Sequence, residues 1–150
     1  MGLKRQLSAG EIDGQVVLAR AWLKANPEWL EDKGFAPTET VGNLVFMGMG
    51  EPLDNVEALI QAIAIFCEAH GLGMAFRKIS VSTAGHLDGL KTLLATYPQI
   101  SIALSLHASR DRERSQLMPI NRRWPVADIL DYLRGFYQYG LFAYQLVVLL

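Results

Sequence analysis

The chain has 150 residues, of which 51% are hydrophobic and 19% charged, so it can bury a core of its own and is not a disordered protein. Its formal net charge of -1 excludes the overall basic surface of non-specific nucleic-acid binders, so any nucleic-acid contact must be local. The one cysteine, Cys67, cannot form an internal disulfide or by itself hold an iron-sulfur cluster or a structural zinc ion, which indicates a reducing compartment.

No apolar leader follows Met1, and the longest apolar run, 141–150, is too short to cross a bilayer. We therefore expect a cytoplasmic protein without a membrane segment. Because that run stops in mid-pattern, we also expect residues 1–150 to be a single domain, the truncated central part of a longer chain.

Strand and helix patterns alternate along the chain. The predicted strands span residues 43–49, 78–83, 100–107 and 142–150. The predicted helices run from the capping box at Ser8 to about Asn26, from a cap at Asp54 to Gly71, between Gly85 and Pro98, and from Pro125 to about Phe136. The stretch 27–40 and the charged segment before Pro125 are predicted to be loops or surface insertions.

Helical crossovers of this length imply parallel strands with helices packed outside the sheet. Strands 78–83 and 100–107 carry aliphatic residues on one face and small or polar residues on the other. A sheet with helices on both faces would be aliphatic on both, whereas one polar face suits the inside of an open barrel that holds a polar ligand. The residues thus favour a partial (β/α) barrel, with a small flavodoxin-like sheet as the alternative.

Polar residues stand where three of these strands end, in the segments Met47–Pro52, Ser82–Gly85 and Ser105–His107. In parallel α/β folds the carboxyl ends of the strands carry the site. A Gly-Glu-Pro turn lets backbone carbonyls approach an ammonium group and adds the carboxylate of Glu51. Hydroxyl and imidazole groups suit a carboxylate and a ribose. The alternative is structural: turn glycines, packing serines and a histidine with a purely structural role.

Four segments together resemble the radical S-adenosylmethionine RNA methyltransferases of the RlmN/Cfr type. They are Asn43–Leu53 (NLVFMGMGEPL), Lys78–Gly85 (KISVSTAG), Ile102–Ala108 (IALSLHA) and Met118–Asn121 (MPIN). The resemblance extends from Gly2 to about Tyr139. It implies an α/β fold that is part of a partial (β/α)6 radical-SAM barrel, with about four parallel strands and helices outside. It also implies a cytoplasmic enzyme that methylates an adenine, most often at carbon 2, in 23S ribosomal RNA and in some members in transfer RNA.

The resemblance further implies that Gly50 and Glu51 bind the methionyl amine of S-adenosylmethionine. Ser82, together with Ser105, Leu106 and His107, would complete the pocket around the rest of that cofactor. No catalytic residue and no metal ligand is carried over onto this chain.

Three family features have no counterpart here: the Cys-x3-Cys-x2-Cys loop that ligates a [4Fe-4S] cluster, an acidic residue of an upstream domain, and a cysteine that carries the methyl group. Cys67 matches none of them and is read as a packing residue. We therefore expect these 150 residues to be inactive by themselves. The alternative is a cluster-less pseudoenzyme or nucleoside-binding module of the same fold; an unrelated barrel fragment is disfavoured, since no phosphate-binding Gly-rich loop is present.

The segment after the third strand is rich in arginine. It contains Arg110, Arg112, Arg114, Arg122 and Arg123, interrupted by two acidic residues. From sequence alone a solvated charged loop is favoured over RNA phosphate contacts, and Trp124 could either stack on a base or pack against the next helix. The open edges of a truncated sheet predict self-association.

Overall fold

The computed structural model describes residues 4–47, 50–138 and 147–149. Its helices are α1 (Ala9–Ala25), α2 (Pro27–Asp32), α3 (Val56–Cys67), α4 (Leu87–Thr96), α5 (Asp111–Leu117) and α6 (Val126–Gln138). Its strands are β1 (Leu44–Phe46), β2 (Ile79–Thr83), β3 (Ser101–Ser105) and β4 (Val147–Leu149). Short 3-10 turns cover Pro52–Asn55, Phe76–Lys78 and Pro119–Arg122.

The four strands form one parallel sheet in the order β1-β2-β3-β4. Leu44 pairs with Ile79, and Ser82 pairs with Ala103, so neighbouring strands reach their carboxyl ends at the same edge of the sheet. The predicted α/β class and the parallel strand arrangement are confirmed.

The sheet has one aliphatic face and one small, polar face. Ile79 and Val81 of β2 and Ile102 and Leu104 of β3 are almost completely buried in a core shared with the helices. Side chains alternate along a strand, so Ser80, Ser82 and Ser105 lie on the opposite face. This asymmetry agrees with the prediction of a barrel segment that has its helices outside.

The stretch 27–40 is not simply a connection, because it contains helix α2. Pro27 occupies the first turn of α2, where its fixed φ suits a helix and its missing N–H is not needed. Leu30 is buried, and the indole rings of Trp22 and Trp29 meet edge to face with their centroids 5.3 Å apart. The first helix was expected to end near Asn26, and Pro27, which follows, also begins the next helix.

The segment between β3 and Pro125 is likewise more ordered than predicted. It forms α5 and the 3-10 turn Pro119–Arg122. Helix α5 has no side-chain cap and is mostly charged, so its sequence shows no apolar periodicity. Two buried polar residues, Arg114 and Asn121, hold the segment against the sheet instead.

Some predicted boundaries were also wrong. Asp54 lies inside the 3-10 turn and does not cap α3, which begins at Val56 without a side-chain cap and ends at Cys67, before Gly71. The strand predicted over 43–49 is limited to β1, and Gly48 and Met49 lie outside the described residues. Of the strand predicted over 142–150, the structure describes β4 alone.

The capping box at the start of α1 is present as predicted: the side chains of Ser8 and Glu11 each accept a backbone N–H of the other residue. Among the described residues, no helix combines the length and apolar character needed to cross a membrane.

Helix α1 carries an unusual buried carboxylate. Asp13 is 7% exposed, and neither of its carboxylate oxygens has a hydrogen-bond partner among the described residues. Burial raises the pKa of Asp13 because the charged form loses its hydration. The folded state therefore binds this proton more readily than the unfolded state does. The resulting destabilisation is absent below the unfolded pKa and grows as pH rises through the folded pKa.

We expect Asp13→Ala to increase the free energy of unfolding at pH 7 by about 1 kcal/mol, since it removes an unpaired buried charge and adds a good helix former. The gain should shrink when urea unfolding is measured at about pH 4 instead, near the ordinary pKa of Asp. Asp32→Ala, at an exposed site on α2, is the control and should change stability by less than about 0.5 kcal/mol. A loss of stability in Asp13→Ala that is equal at both pH values would contradict this interpretation.

Candidate functional site

The ends of β1, β2 and β3 enclose a cavity of about 230 Å³. Five residues predicted from sequence line it, namely Gly50, Glu51, Ser82, Ser105 and His107. Residues not singled out as site residues complete the lining, namely Met47, Pro52, Thr83, Ala84 and Met118. Leu106 was also predicted as a site residue, but it does not line the cavity, and its carbonyl accepts the Nε of Arg114.

Glu51 connects the ends of two strands. Its Oε1 accepts the backbone N–H of Leu53 at 3.1 Å, and its Oε2 accepts the N–H of Ala84 at 2.6 Å. The first bond closes the turn after β1, and the second joins that turn to the end of β2. A carboxylate has about four acceptor positions, so Glu51 retains acceptor capacity toward the cavity.

Gly50 leaves space beside this carboxylate. A Cβ atom added at Gly50 would meet no protein atom within 4 Å, and its φ is not in the left-handed region. Neither packing nor backbone strain in the described residues therefore requires glycine here. The glycine leaves the backbone beside Glu51 uncovered by a side chain on the cavity wall.

A tight turn follows β2 and forms a second part of the cavity wall. The Oγ1 atom of Thr83 accepts the backbone N–H groups of Gly85 at 2.9 Å and of His86 at 3.4 Å. Gly85 has a φ of 104°, and a Cβ at that position would overlap the side chain of Ile129. Glycine is needed here for both reasons, and the turn leads directly into α4.

The segment after β3 forms a third part of the cavity wall. The N–H of Ala108 donates to the carbonyl of Leu106 at 2.7 Å, which closes a three-residue turn around His107. His107 has a φ of 56°, the one left-handed non-glycine residue among those described. That conformation is costly for a residue with a Cβ, so surrounding contacts must hold it. The turn places the exposed His107 side chain on the wall of the cavity.

Arg114 was predicted to belong to a charged loop, but its side chain is completely buried. Its guanidinium contacts the carbonyls of Ala84, Ser105 and Leu106 and the side chain of Asn121. The sequence signal that could have identified this role was Asn121, since it ends one of the four segments that carry the family resemblance. Spacing alone could not show that an arginine in a charged segment turns inward.

A larger groove of about 770 Å³ adjoins the cavity and shares Met47, Gly50, Glu51 and Pro52 with it. Leu44, Val45 and Phe46 of β1 line one side, and residues 4–7 line another. The small cavity alone is below the roughly 300 to 1,000 Å³ of ligand pockets. Cavity and groove together offer room for an elongated ligand that passes over Glu51.

No cluster of three or more metal-ligating side chains occurs in the ranges 4–47, 50–138 and 147–149. Cys67 is partly buried on α3, packs against the core and lines neither cavity, and burial raises the pKa of its thiol. These contacts agree with the predicted packing role.

Known proteins similar to this chain are RNA methyltransferases. It is 41% identical over 133 residues to the probable dual-specificity RNA methyltransferase RlmN of Akkermansia muciniphila, covering 89% of this chain and 33% of that protein. It is 42% identical over 137 residues to the corresponding probable enzyme of Chloroflexus aurantiacus, covering 91% of this chain and 35% of that protein. No family model matches the chain.

A solved structure is also similar. The radical SAM methyltransferase from Sphaerobacter thermophilus is 35% identical, with a TM-score of 0.79 over 96% of this chain and 39% of that protein. The chain spans about a third of the length of the curated relatives that it matches. The structural comparison agrees with the α/β fold, and about nine tenths of this chain is similar to one segment of the RlmN radical SAM methyltransferases.

Proposed function

We propose that the strand-end cavity binds S-adenosylmethionine in a cytoplasmic protein that methylates RNA. The observation that carries this proposal is the convergence of Glu51, Ser82 and His107, from three consecutive strand ends, on one cavity. The relatives named RNA methyltransferases and the radical SAM neighbour support the choice of cofactor and substrate class. We propose an adenine of 23S ribosomal RNA, at carbon 2, as the target, with transfer RNA as a second substrate.

The lining groups suit the two ends of S-adenosylmethionine. The carboxylate of Glu51 would accept the methionyl ammonium group, and charge-assisted hydrogen bonds of this kind are stronger than neutral ones. The side chains of Ser82, Ser105 and His107 offer donors and acceptors for the carboxylate and ribose. Met47 and Met118 add polarizable apolar surface, which suits contact with an adenine ring.

The proposed family chemistry also uses a [4Fe-4S] cluster, which is held by cysteine thiolates. The residues of this chain do not fit such a cluster, because Cys67 is the one cysteine in the sequence and lies on α3 away from both cavities. Cluster ligands would have to come from other cysteines, and we expect no methyl transfer from these 150 residues alone.

The cofactor proposal predicts that the chain binds S-adenosylhomocysteine, detected by isothermal titration calorimetry. Glu51→Gln should weaken this binding by about tenfold or more, because a hydrogen bond to a charged group is removed. Methylthioadenosine lacks the amino acid end of the ligand, so its affinity should be nearly the same in Glu51→Gln and the original chain.

Glu57→Gln, at an exposed position on α3, is the matched control and should leave both affinities unchanged. Absence of S-adenosylhomocysteine binding by the folded chain would refute the cofactor proposal. An equal effect of Glu51→Gln on both ligands would refute the role assigned to the carboxylate.

The arginines of the segment after β3 divide into one buried and several exposed side chains. Arg110, Arg112, Arg122 and Arg123 are exposed, whereas Arg114 is not available to a ligand. Trp124 is buried, with its ring 4.0 Å from that of His86 and 4.3 Å from the Arg123 guanidinium carbon, so packing is its observed role. Any stacking on an RNA base must come from another residue.

We propose that the exposed arginines contact RNA phosphates near the cavity. Replacing Arg122 and Arg123 together by Gln should weaken binding of an oligoribonucleotide, and it should reduce the slope of log affinity against log salt by about 1 for each phosphate that the variant no longer neutralises. Arg77 and Lys78 lie at the opposite, amino end of β2, so their double replacement by Gln is the control. An unchanged salt slope in the first double variant would show that the charged segment is only solvated.

A cluster-less nucleoside-binding module of the same fold is the alternative function. The single cysteine favours it, and S-adenosylhomocysteine binding alone fits both functions. A methyl-transfer assay distinguishes them when it uses a protein in which this segment is joined to a cysteine-containing cluster loop. Activity there, abolished by Glu51→Gln, supports the enzyme.

The chain is also proposed to self-associate through β1. Within the described sheet β1 pairs with β2 only, and Val45 of β1 is exposed. Light scattering at increasing concentration should show a dimer, and a monomer throughout would contradict this.

A further inference from the structure

Arg114 lies completely buried on α5, directly behind the wall of the cavity. Its Nε donates to the carbonyl of Leu106 at 3.0 Å, and its Nη2 donates to the carbonyls of Ala84 at 2.5 Å and Ser105 at 3.0 Å. Its Nη1 donates to Oδ1 of Asn121 at 2.5 Å. One guanidinium thus connects the segments that follow β2 and β3.

A buried guanidinium is costly unless its N–H groups are paired. Burial lowers the pKa of Arg114, and the carboxylate of Asp111 partly offsets this. Four acceptors around the planar fork provide the pairing, and three of them are backbone carbonyls at or just after the ends of β2 and β3. The presence of arginine at this position is therefore explained by the backbone carbonyls to which it donates hydrogen bonds.

A second layer of polar side chains holds the acceptors in place. The Nδ2 of Asn121 donates to Oδ1 of Asp111 at 2.9 Å and to the hydroxyl of Ser115 at 2.9 Å. Asp111 Oδ1 also accepts the N–H of Val126 at 2.8 Å, at the start of α6. The network therefore runs from the two strand ends through α5 to α6.

We propose that Arg114, held in place by Asn121, is a positioning residue. It fixes the backbone of the segments that follow β2 and β3, so that Glu51 and His107 face one ligand. This inference rests on the proposed function for the identity of that ligand. Ala84 is bound on both sides: its N–H donates to Glu51, and its carbonyl accepts from Arg114. Arg114 is fully buried, so it does not touch the ligand and acts through these backbone groups.

The left-handed turn at His107 shows why such a restraint is needed. The carbonyl of Leu106 accepts both the N–H of Ala108, which closes the turn, and Nε of Arg114. The neighbouring carbonyl of Ser105 is also held by Arg114. A strained conformation persists only where surrounding contacts determine it. Without these bonds, the backbone at 105–108 can relax and move the imidazole away from the cavity.

The test compares Arg114→Lys with Leu94→Ala. Lysine keeps the charge, but its single ammonium nitrogen cannot reach acceptors spread around a planar fork. Leu94 is buried near the far end of α4 and lines neither cavity, so its truncation destabilises the core without touching the network. Asn121→Ala is a milder variant that removes one acceptor of Arg114, should Arg114→Lys fail to fold.

Two quantities are measured on the 150-residue chain at a temperature where all variants are folded: the affinity for S-adenosylhomocysteine and the hydrogen exchange of the Ala108 amide by NMR. We expect Arg114→Lys to weaken the affinity by about tenfold or more and to accelerate Ala108 exchange. Asn121→Ala should show smaller changes in the same direction. Leu94→Ala should lower the melting temperature and leave the affinity within about twofold.

The outcomes separate this inference from the proposed function. If the original chain binds no S-adenosylhomocysteine but Arg114→Lys still accelerates Ala108 exchange selectively, the proposed ligand is wrong and the positioning of the strand ends stands. If the arginine and asparagine variants lose only stability, with affinity and Ala108 exchange as in Leu94→Ala, then Arg114 is a structural residue and the inference is overturned.

Discussion

Parallel strands that end together leave backbone groups without ladder partners, and the site of this protein is organised around satisfying them. Glu51 accepts the N–H of Ala84, and Arg114 donates to the carbonyl of the same residue. Two side chains of opposite charge therefore hold one peptide segment between them. Glu51 follows β1, and Arg114 also donates to the carbonyl at the end of β3. The two side chains therefore link the carboxyl ends of three strands.

The two faces of the sheet differ in the interactions that stabilise them. Aliphatic residues of β2 and β3 form the core with the helices, which provides most of the burial. The other face carries serines and has little apolar surface to bury, so its geometry depends on hydrogen bonds. The cavity at the ends of the strands combines hydroxyl, carboxylate and imidazole groups with two methionines, and it suits a ligand that is polar at both ends.

The proposed cofactor site and the proposed RNA contacts lie in different parts of the structure. The cavity lies between the strand ends, whereas the exposed arginines stand on the helical segment that follows β3. Arg114 and the exposed arginines belong to the same stretch of chain, but Arg114 is buried and the others face solvent. One charged segment therefore provides both a buried arginine that hydrogen-bonds the strand ends and a set of exposed arginines.

The parallel α/β class and the order of the main elements followed from the sequence, and five of the six predicted site residues line one cavity. Hydrophobic periodicity, the capping box at Ser8 and the polar residues at strand ends can all be recognised within short stretches of sequence. The structure contains the capping box and brings the polar residues together. The family resemblance added the cofactor, which no spacing argument could name.

The tertiary structure decided the rest. The sequence does not show that Arg114 turns inward or that Leu106 is absent from the cavity wall, because both depend on which backbone carbonyls the folded chain brings together around the guanidinium. Helices α2 and α5 were missed for a related reason: a short helix with few apolar residues shows little periodicity of its own and is stabilised by contacts with other segments.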